Sequence, residues 1–170
     1  MRFSYPRQTK SISVTGNECE QNCAHCKGHY LKHMLPISAI KDSSATSFLI
    51  SGGCKDGIVP IAQHVAELKT LKEGRRYNLH VGLIEGDEVT EIAQIADCVS
   101  FDFVGDDETI RAVFGMERRV SDYVRCYKEL RQKVKVMPHI CIGLHGGEIR
   151  GEYQAVKLLQ ELGMAGLTFI

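Results

Sequence analysis

Three cysteines near the start of the chain have the type and spacing of metal ligands. Cys19, Cys23 and Cys26 form a C-x3-C-x2-C pattern, and no fourth cysteine lies near them in the sequence. Iron–sulfur clusters are normally held by four thiolates. Three thiolates can hold a four-iron cluster and leave one iron open, and an open coordination position distinguishes a reactive metal centre from a structural one. The spacing therefore predicts a reactive iron–sulfur site.

Zinc is the alternative metal for the same segment. Its fourth ligand would then be one of three nearby histidines: His25, His29 or His33. Structural zinc sites usually combine two short ligand pairs, whereas this chain has a single cysteine cluster. That difference favours iron–sulfur and leaves zinc as the alternative.

The other four cysteines are scattered, at Cys54, Cys98, Cys126 and Cys141. An odd total of seven cannot pair completely, and clustered cysteines are typical of metal ligands in a reducing compartment. Cys126 lies in a helical pattern, where a free cysteine usually acts as a small buried hydrophobe. Cys54 directly follows Gly53 at the end of a predicted strand, which favours a functional role.

Composition predicts one cytoplasmic domain spanning residues 1–170. Lysine plus arginine equals aspartate plus glutamate at 21 each, so no overall field attracts nucleic acid. No apolar run approaches the ~20 residues of a membrane helix. The first ten residues lack the apolar stretch of a signal peptide.

Short β-branched runs alternate with amphipathic segments along the chain. Helical spacing is found at 58–71, at 120–131 and in a segment that ends before Gly163. A short extra helix is predicted at 106–115, with Asp106 or Asp107 as its cap. The predicted strands are Ser11–Thr15, Ser47–Ser51, Asn78–Ile84, Val99–Val104, Val136–Ile142 and Leu167–Ile170. This alternation predicts a parallel sheet with helical crossovers.

Unusual residues follow the predicted strands, where parallel α/β folds bind their ligands. They are the cysteine segment, Gly52-Gly53-Cys54, Glu85-Gly86-Asp87, Asp102, and His145-Gly146-Gly147-Glu148. Five strand ends should therefore meet at one active-site rim. Among the titratable residues we expect Glu85, His80 and His145 to face the pocket and His139 to be structural. No general acid or base is identifiable.

The cysteine pattern after the first strand, together with six β/α units, resembles the radical S-adenosylmethionine superfamily over essentially the whole chain. The resemblance implies a partial (β/α)6 TIM-like barrel. It also implies a 4Fe–4S cluster on Cys19, Cys23 and Cys26 that binds S-adenosylmethionine at its open iron. Reductive cleavage of that cofactor would give a 5′-deoxyadenosyl radical, which abstracts hydrogen from a substrate. Such an enzyme would be oxygen-sensitive.

Four cofactor contacts follow from the resemblance near the cysteines. His25 stands where the family usually has an aromatic residue near the adenine. Gly52 and Gly53 match the glycine-rich stretch that contacts the methionyl amino group. Cys54 occupies the place of the family's usual acidic residue.

Further contacts are implied at the later strands. Ser100 and Asp102 fall in the region that commonly binds ribose, and Gly143 and Gly146 resemble the glycine motif beside the adenine. The residues alone leave ordinary alternatives open. A strand-end aspartate can cap the next helix, and these glycines can form a plain strand-to-helix turn.

Several stretches look like biotin synthase and the archaeal-type lipoyl synthases, among them 14–19, 26–34 and 51–54. That branch implies a transferase that inserts sulfur into a C–H bond of a small molecule or acyl chain. A ferredoxin or flavodoxin would supply electrons. A second iron–sulfur cluster would donate the sulfur, with Cys54, Cys98 and Cys141 as ligand candidates.

Other functions stay open at this point. The same radical could serve methylation, rearrangement or cofactor assembly, and a non-catalytic metal-binding subunit is the alternative from another class. The chain ends at the sixth predicted strand. It is therefore expected either to be a fragment of a longer protein or to need a partner that closes the barrel.

Overall fold

A computed structural model describes residues 8–170. The expectation about a signal peptide concerns mainly residues 1–7, which lie outside the described residues. One sheet contains β1 (Thr9–Ser13), β2 (Leu35–Pro36), β3 (Ser47–Ser51), β4 (Arg76–His80), β5 (Cys98–Asp102), β6 (Val136–Ile140) and β7 (Thr168–Phe169). Their order is β2-β1-β3-β4-β5-β6-β7, and all neighbours are parallel. The sheet does not close on itself, so the expected partial barrel is confirmed.

The strand count is seven rather than six because of β2. This strand has two residues, Leu35 and Pro36, which pair with Ile12 and Ser13 at the sheet edge. A proline is tolerated there because an edge strand does not need every backbone N–H for pairing. A run this short has no period-2 pattern, so the sequence did not predict it.

The fourth strand ends earlier than predicted. The expected strand reached Ile84, but Gly82 adopts a left-handed conformation with φ 72° and the chain turns away. The Val81 carbonyl then accepts a hydrogen bond from Val59 N at 3.0 Å, and Leu83 N donates to Gly57 O at 2.9 Å. These bonds attach the 57–59 loop to the end of β4.

Helices cover one side of the sheet, and their bounds are α1 (Val65–Thr70), α2 (Asp87–Ala93), α3 (Asp107–Thr109), α4 (Val120–Lys133) and α5 (Glu152–Glu161). The predicted cap of the short helix is Asp106, whose carboxylate accepts from Thr109 N at 2.7 Å. The first predicted helix starts late because Ile58 forms bridges with Lys55 and Gly82. The seven-residue α2 was not predicted.

No helix between residues 8 and 170 is long and apolar enough to cross a membrane.

The register of the strands separates a polar face from an apolar face. Residues that lie side by side on adjacent strands point to the same side of a sheet. Ser51 on β3, His80 on β4 and Ser100 on β5 therefore share the inner face of the open barrel. The alternate residues are apolar and pack under the helices, and Leu79 and Phe101 are almost completely buried among them. The inner face therefore holds the polar groups available for chemistry.

We expect Leu79→Ala to lower the free energy of unfolding by about 2–5 kcal/mol, because it leaves a cavity in the packed outer face of the sheet. Leu79 is fully buried, whereas Leu35 is 38% exposed at the sheet edge. Urea-induced unfolding measures both effects. Leu35→Ala is the matched control and should change stability by less than about 0.5 kcal/mol. Equal losses in the two variants would contradict this packing.

Candidate functional site

A cavity of about 300 Å³ opens at the carboxyl ends of the strands. Eleven residues had been predicted as metal or cofactor ligands, and eight of them line this cavity: Cys19, Cys23, His25, Cys26, Gly52, Gly53, Cys54 and Asp102. Residues far apart in sequence thus converge because parallel strands end at the same edge of the sheet.

The cysteine loop is held by hydrogen bonds from two other parts of the chain. Gln21 N donates to Cys54 O at 2.9 Å, and Gln21 Oε1 accepts from Gly57 N at 2.8 Å. The Gln21 amide also donates to Phe114 O. Ala24 N donates to Val113 O at 2.8 Å. Gln21 was missed by sequence reasoning, because nothing in a lone glutamine inside the motif signals a clamp.

The glycine at position 53 lets the loop after β3 lie directly against the cysteine loop. A Cβ on Gly53 would lie 1.9 Å from Glu18 O and 2.6 Å from Cys19 Cα, so no side chain fits. Gly53 N donates to Thr15 Oγ1 at 2.7 Å, and Cys54 N donates to Cys19 Sγ at 3.4 Å. This glycine therefore has a packing role, and its predicted contact with a cofactor stays a prediction.

The thiols in the cavity influence one another electrostatically. Burial raises the pKa of Cys23 to about 11, and Cys26 and Cys19 add to the effect. Burial raises the pKa of Cys54 to about 12, with contributions from the same three predicted ligands. Thiols with such pKa values keep their protons at neutral pH, and a bound cation is what favours the thiolate form. All seven cysteines are free.

Within residues 8–170, no three histidine, cysteine, aspartate or glutamate side chains are close enough together to share a single metal ion. The three predicted ligands nevertheless border the same cavity, on a loop whose backbone is tied to its neighbours. Thiolates are the ligands that iron–sulfur clusters use. The donor type and the shared cavity therefore fit such a cluster.

A hydrogen-bonded group of polar residues lies on the inner face beside the cysteine loop. His80 Nε2 is 3.0 Å from Asp102 Oδ2, and His80 Nδ1 is 3.2 Å from Ser51 Oγ. His139 Nδ1 lies 3.6 Å from Asp102 Oδ1. Both carboxylate oxygens of Asp102 thus face an imidazole, while capping of the next helix falls to Asp106.

The same contacts shift the pKa values of this group. Burial alone would raise the pKa of Asp102, but His80 and His139 hold it well below its usual value. Burial alone would lower the pKa of His80, but the Asp102 carboxylate raises it above its usual value. Each member of the Asp102–His80 pair therefore favours the charged form of the other.

Three predicted cofactor contacts lie outside the cavity lining. Ser100 is buried on β5, two residues before Asp102. Its hydroxyl donates a hydrogen bond to Asn78 Oδ1 at 3.1 Å. Gly143 and Gly146 border an adjoining groove instead. Gly143 N donates to Glu152 Oε1 at 2.8 Å, so this stretch forms a turn before α5.

Two further expectations are corrected by the positions of the side chains. Glu85 pairs with Arg125 across 3.3 Å and does not line the cavity, because the chain turns away from β4 before reaching it. Cys98 lies at the amino end of β5, so among the candidates for a second cluster only Cys54 and Cys141 border the cavity. His80 and His145 line it as expected.

The comparisons with known proteins concern the fold. No protein-family model matches the sequence, and no curated protein matches it. Among solved structures, the chain is similar to the crystal structure of methylornithine synthase (PylB), with a TM-score of 0.70 and 13% sequence identity. The match covers 95% of this chain and 52% of methylornithine synthase, so this chain spans about half the length of that protein.

We expect Gly53→Ala to displace the cysteine loop, because the new Cβ would overlap Glu18 O and the Cys19 backbone. Overpacking of this kind costs about 1–3 kcal/mol. Unfolding in urea measures the loss, and faster reaction of the cavity thiols with a thiol reagent reports the displacement. Gly166→Ala is the control, since its Cβ meets the Met137 side chain at an ordinary 3.6 Å. Equal stability and thiol reactivity in the two variants would refute this close approach.

The Asp102–His80 pair should make stability depend on pH. The pKa of His80 is higher in the folded chain than its ordinary value near 6.5. The pair therefore makes its full contribution to the free energy of unfolding when the pH is below 6.5. The contribution is lost as the pH rises through the higher folded value. In urea unfolding, the parent should therefore lose stability as the pH rises from about 6.5, and Asp102→Asn should reduce that slope. Asp42→Asn, at an exposed position, should leave the slope unchanged.

Proposed function

We propose that the protein is a radical S-adenosylmethionine enzyme whose cluster is held by Cys19, Cys23 and Cys26. The observation that carries the proposal is that these three thiols line one cavity at the carboxyl end of a partial barrel. The similarity to methylornithine synthase supports the fold on which such a site would be built. When bound, a four-iron cluster would supply the electron that cleaves S-adenosylmethionine to a 5′-deoxyadenosyl radical.

In this proposal, residues of the cysteine loop and of the turn beside it would orient the cofactor. His25 packs edge-on against Phe114, with ring centroids 5.4 Å apart and an interplanar angle of 73°. Its ring borders the cavity, where it would lie against the adenine. Backbone groups of Gly52 and Gly53 would contact the methionyl end of the cofactor, because that turn touches the cysteine loop.

Asp102 is suited to accept hydrogen bonds from ribose hydroxyls. Its side chain is 45% exposed to the cavity, and the two histidines hold it in its ionised form. Charged acceptors make stronger hydrogen bonds than neutral ones. In this proposal His80 and His139 position the carboxylate, and the structural role expected for His139 becomes part of the same arrangement.

The walls of the cavity suit a radical reaction because they are largely apolar. They include Leu31, Leu83, Phe103, Val104 and Ile140. Apolar walls exclude water and competing reactions, while the bound cofactor performs the difficult step. The substrate in this proposal is a small molecule or an acyl chain, and a ferredoxin or flavodoxin supplies the electron.

Sulfur insertion is the reaction that we favour within this proposal. The sequence resemblance to biotin and lipoyl synthases suggests it, and the presence of Cys141 in the cavity supports it, since this thiol could help to hold a sulfur-donor cluster. A partner protein would cover the open side of the barrel between β2 and β7. Methylation, rearrangement and cofactor assembly are the alternatives that use the same radical.

The proposal predicts reductive cleavage of S-adenosylmethionine. After anaerobic reconstitution with iron and sulfide and reduction with dithionite, the parent should form 5′-deoxyadenosine, measured by liquid chromatography. Cys19→Ala, Cys23→Ala and Cys26→Ala should each lower the rate by more than about 100-fold, since even outer-sphere partners of metal ligands contribute 10- to 100-fold. Cys126→Ala is the control, because Cys126 is buried on α4 away from the cavity. Bound zinc without cleavage, or a loaded cluster without cleavage, would contradict the proposal.

A further inference from the structure

A fourth cysteine borders the cavity in direct contact with the proposed cluster ligands. Cys54 follows Gly53, and its backbone N–H donates to Cys19 Sγ at 3.4 Å. In return, the Cys19 thiol lies 3.8 Å from Cys54 O. The backbone at Gly53 cannot move closer or carry a side chain, so Cys54 is held beside Cys19 by packing as well as by hydrogen bonding.

Position distinguishes this cysteine from Cys141, which lines the same cavity but directly follows β6. Besides its contact with Cys19, Cys54 accepts a hydrogen bond at its carbonyl oxygen from Gln21 N, at 2.9 Å. Cys54 therefore lies directly against the loop that carries the proposed ligands.

Cluster chemistry provides a role for a thiol in this position. Iron–sulfur clusters are normally coordinated by four thiolates, and three ligands leave one iron exposed to water and oxygen. Soft thiolates are the ligands that iron–sulfur clusters prefer. Cys54 brings such a group beside the proposed ligand Cys19.

We propose that the Cys54 thiolate is a fourth, exchangeable ligand of the cluster, bound to the open iron until S-adenosylmethionine displaces it. The inference rests on the proposed function. In the exchange, the bond between Cys54 Sγ and iron breaks, and the amino and carboxylate groups of the cofactor form bonds to the same iron. Cys54 takes up a proton from solvent, and no electron is transferred. The resting site is thereby protected, and cofactor binding opens it.

Loss of the open iron under mild oxidation tests this ligand directly. Ferricyanide removes one electron from a four-iron core of charge 2+, and the resulting 3+ core releases one Fe2+ to leave a three-iron core of charge 1+. Electron paramagnetic resonance follows the three-iron signal in reconstituted protein without S-adenosylmethionine. The parent should convert about tenfold more slowly than Cys54→Ala, because a ligand on the same chain is present at a millimolar effective concentration.

Matched variants separate ligation from general disturbance of the cavity. Cys141→Ala removes a thiol from the same cavity and should convert at the parent rate. Cys54→Ser keeps the size of the side chain and should convert as fast as Cys54→Ala, which keeps the test valid if the alanine variant folds poorly. Added S-adenosylmethionine should bring the parent and both Cys54 variants to the same rate.

The possible failures are distinguishable. Equal conversion of the parent and Cys54→Ser overturns the ligand assignment and leaves the proposed function intact. A parent that assembles no cluster overturns the proposed function itself. If Cys54→Ser loses about four irons per chain while the signal of the remaining cluster still responds to S-adenosylmethionine, Cys54 belongs to a second cluster and the inference is wrong.

Discussion

The contact between the turn after β3 and the cysteine loop is the constraint on which the rest of the site depends. Gly53 brings its backbone so close to Glu18 and Cys19 that no side chain is tolerated. Gln21 then connects the cysteine loop to Cys54, Gly57 and Phe114. A loop rich in turns would otherwise sample many conformations, and these contacts offset its conformational entropy before any metal binds.

A second ordering effect comes from the inner face of the sheet. Polar side chains at the ends of β3, β4, β5 and β6 are bonded to one another, with Asp102 between His80 and His139. Charges that are partly removed from water are tolerated when they are paired in this way. The arrangement holds a carboxylate ready for a ligand without requiring the backbone to rearrange, while the opposite face of the same strands supplies the apolar packing.

The cavity combines features that would conflict without a ligand. Five thiols line one cavity, and burial holds the pKa values of Cys23 and Cys54 far above neutrality. In our proposal, a bound metal centre would convert these thiols to thiolates and so couple binding to the stability of the fold. It would bind to a cysteine loop that its protein contacts already hold in place.

The sequence by itself determined the class of fold and the most informative residues. Alternation of β-branched runs with helical spacing was sufficient to predict the parallel sheet, and the spacing of three cysteines was sufficient to predict a segment that lines the cavity, because both signals are local. Only the tertiary structure decided which distant groups meet. It attached the cysteine loop to distant segments through Gln21 and Gly53, brought His139 to Asp102, and left Ser100, Glu85 and Cys98 outside the cavity. The added edge strand β2 and the early end of β4 also depend on pairing with remote residues. The physical reason is that strand register and loop closure are set by contacts between segments far apart in the chain, which no local pattern encodes.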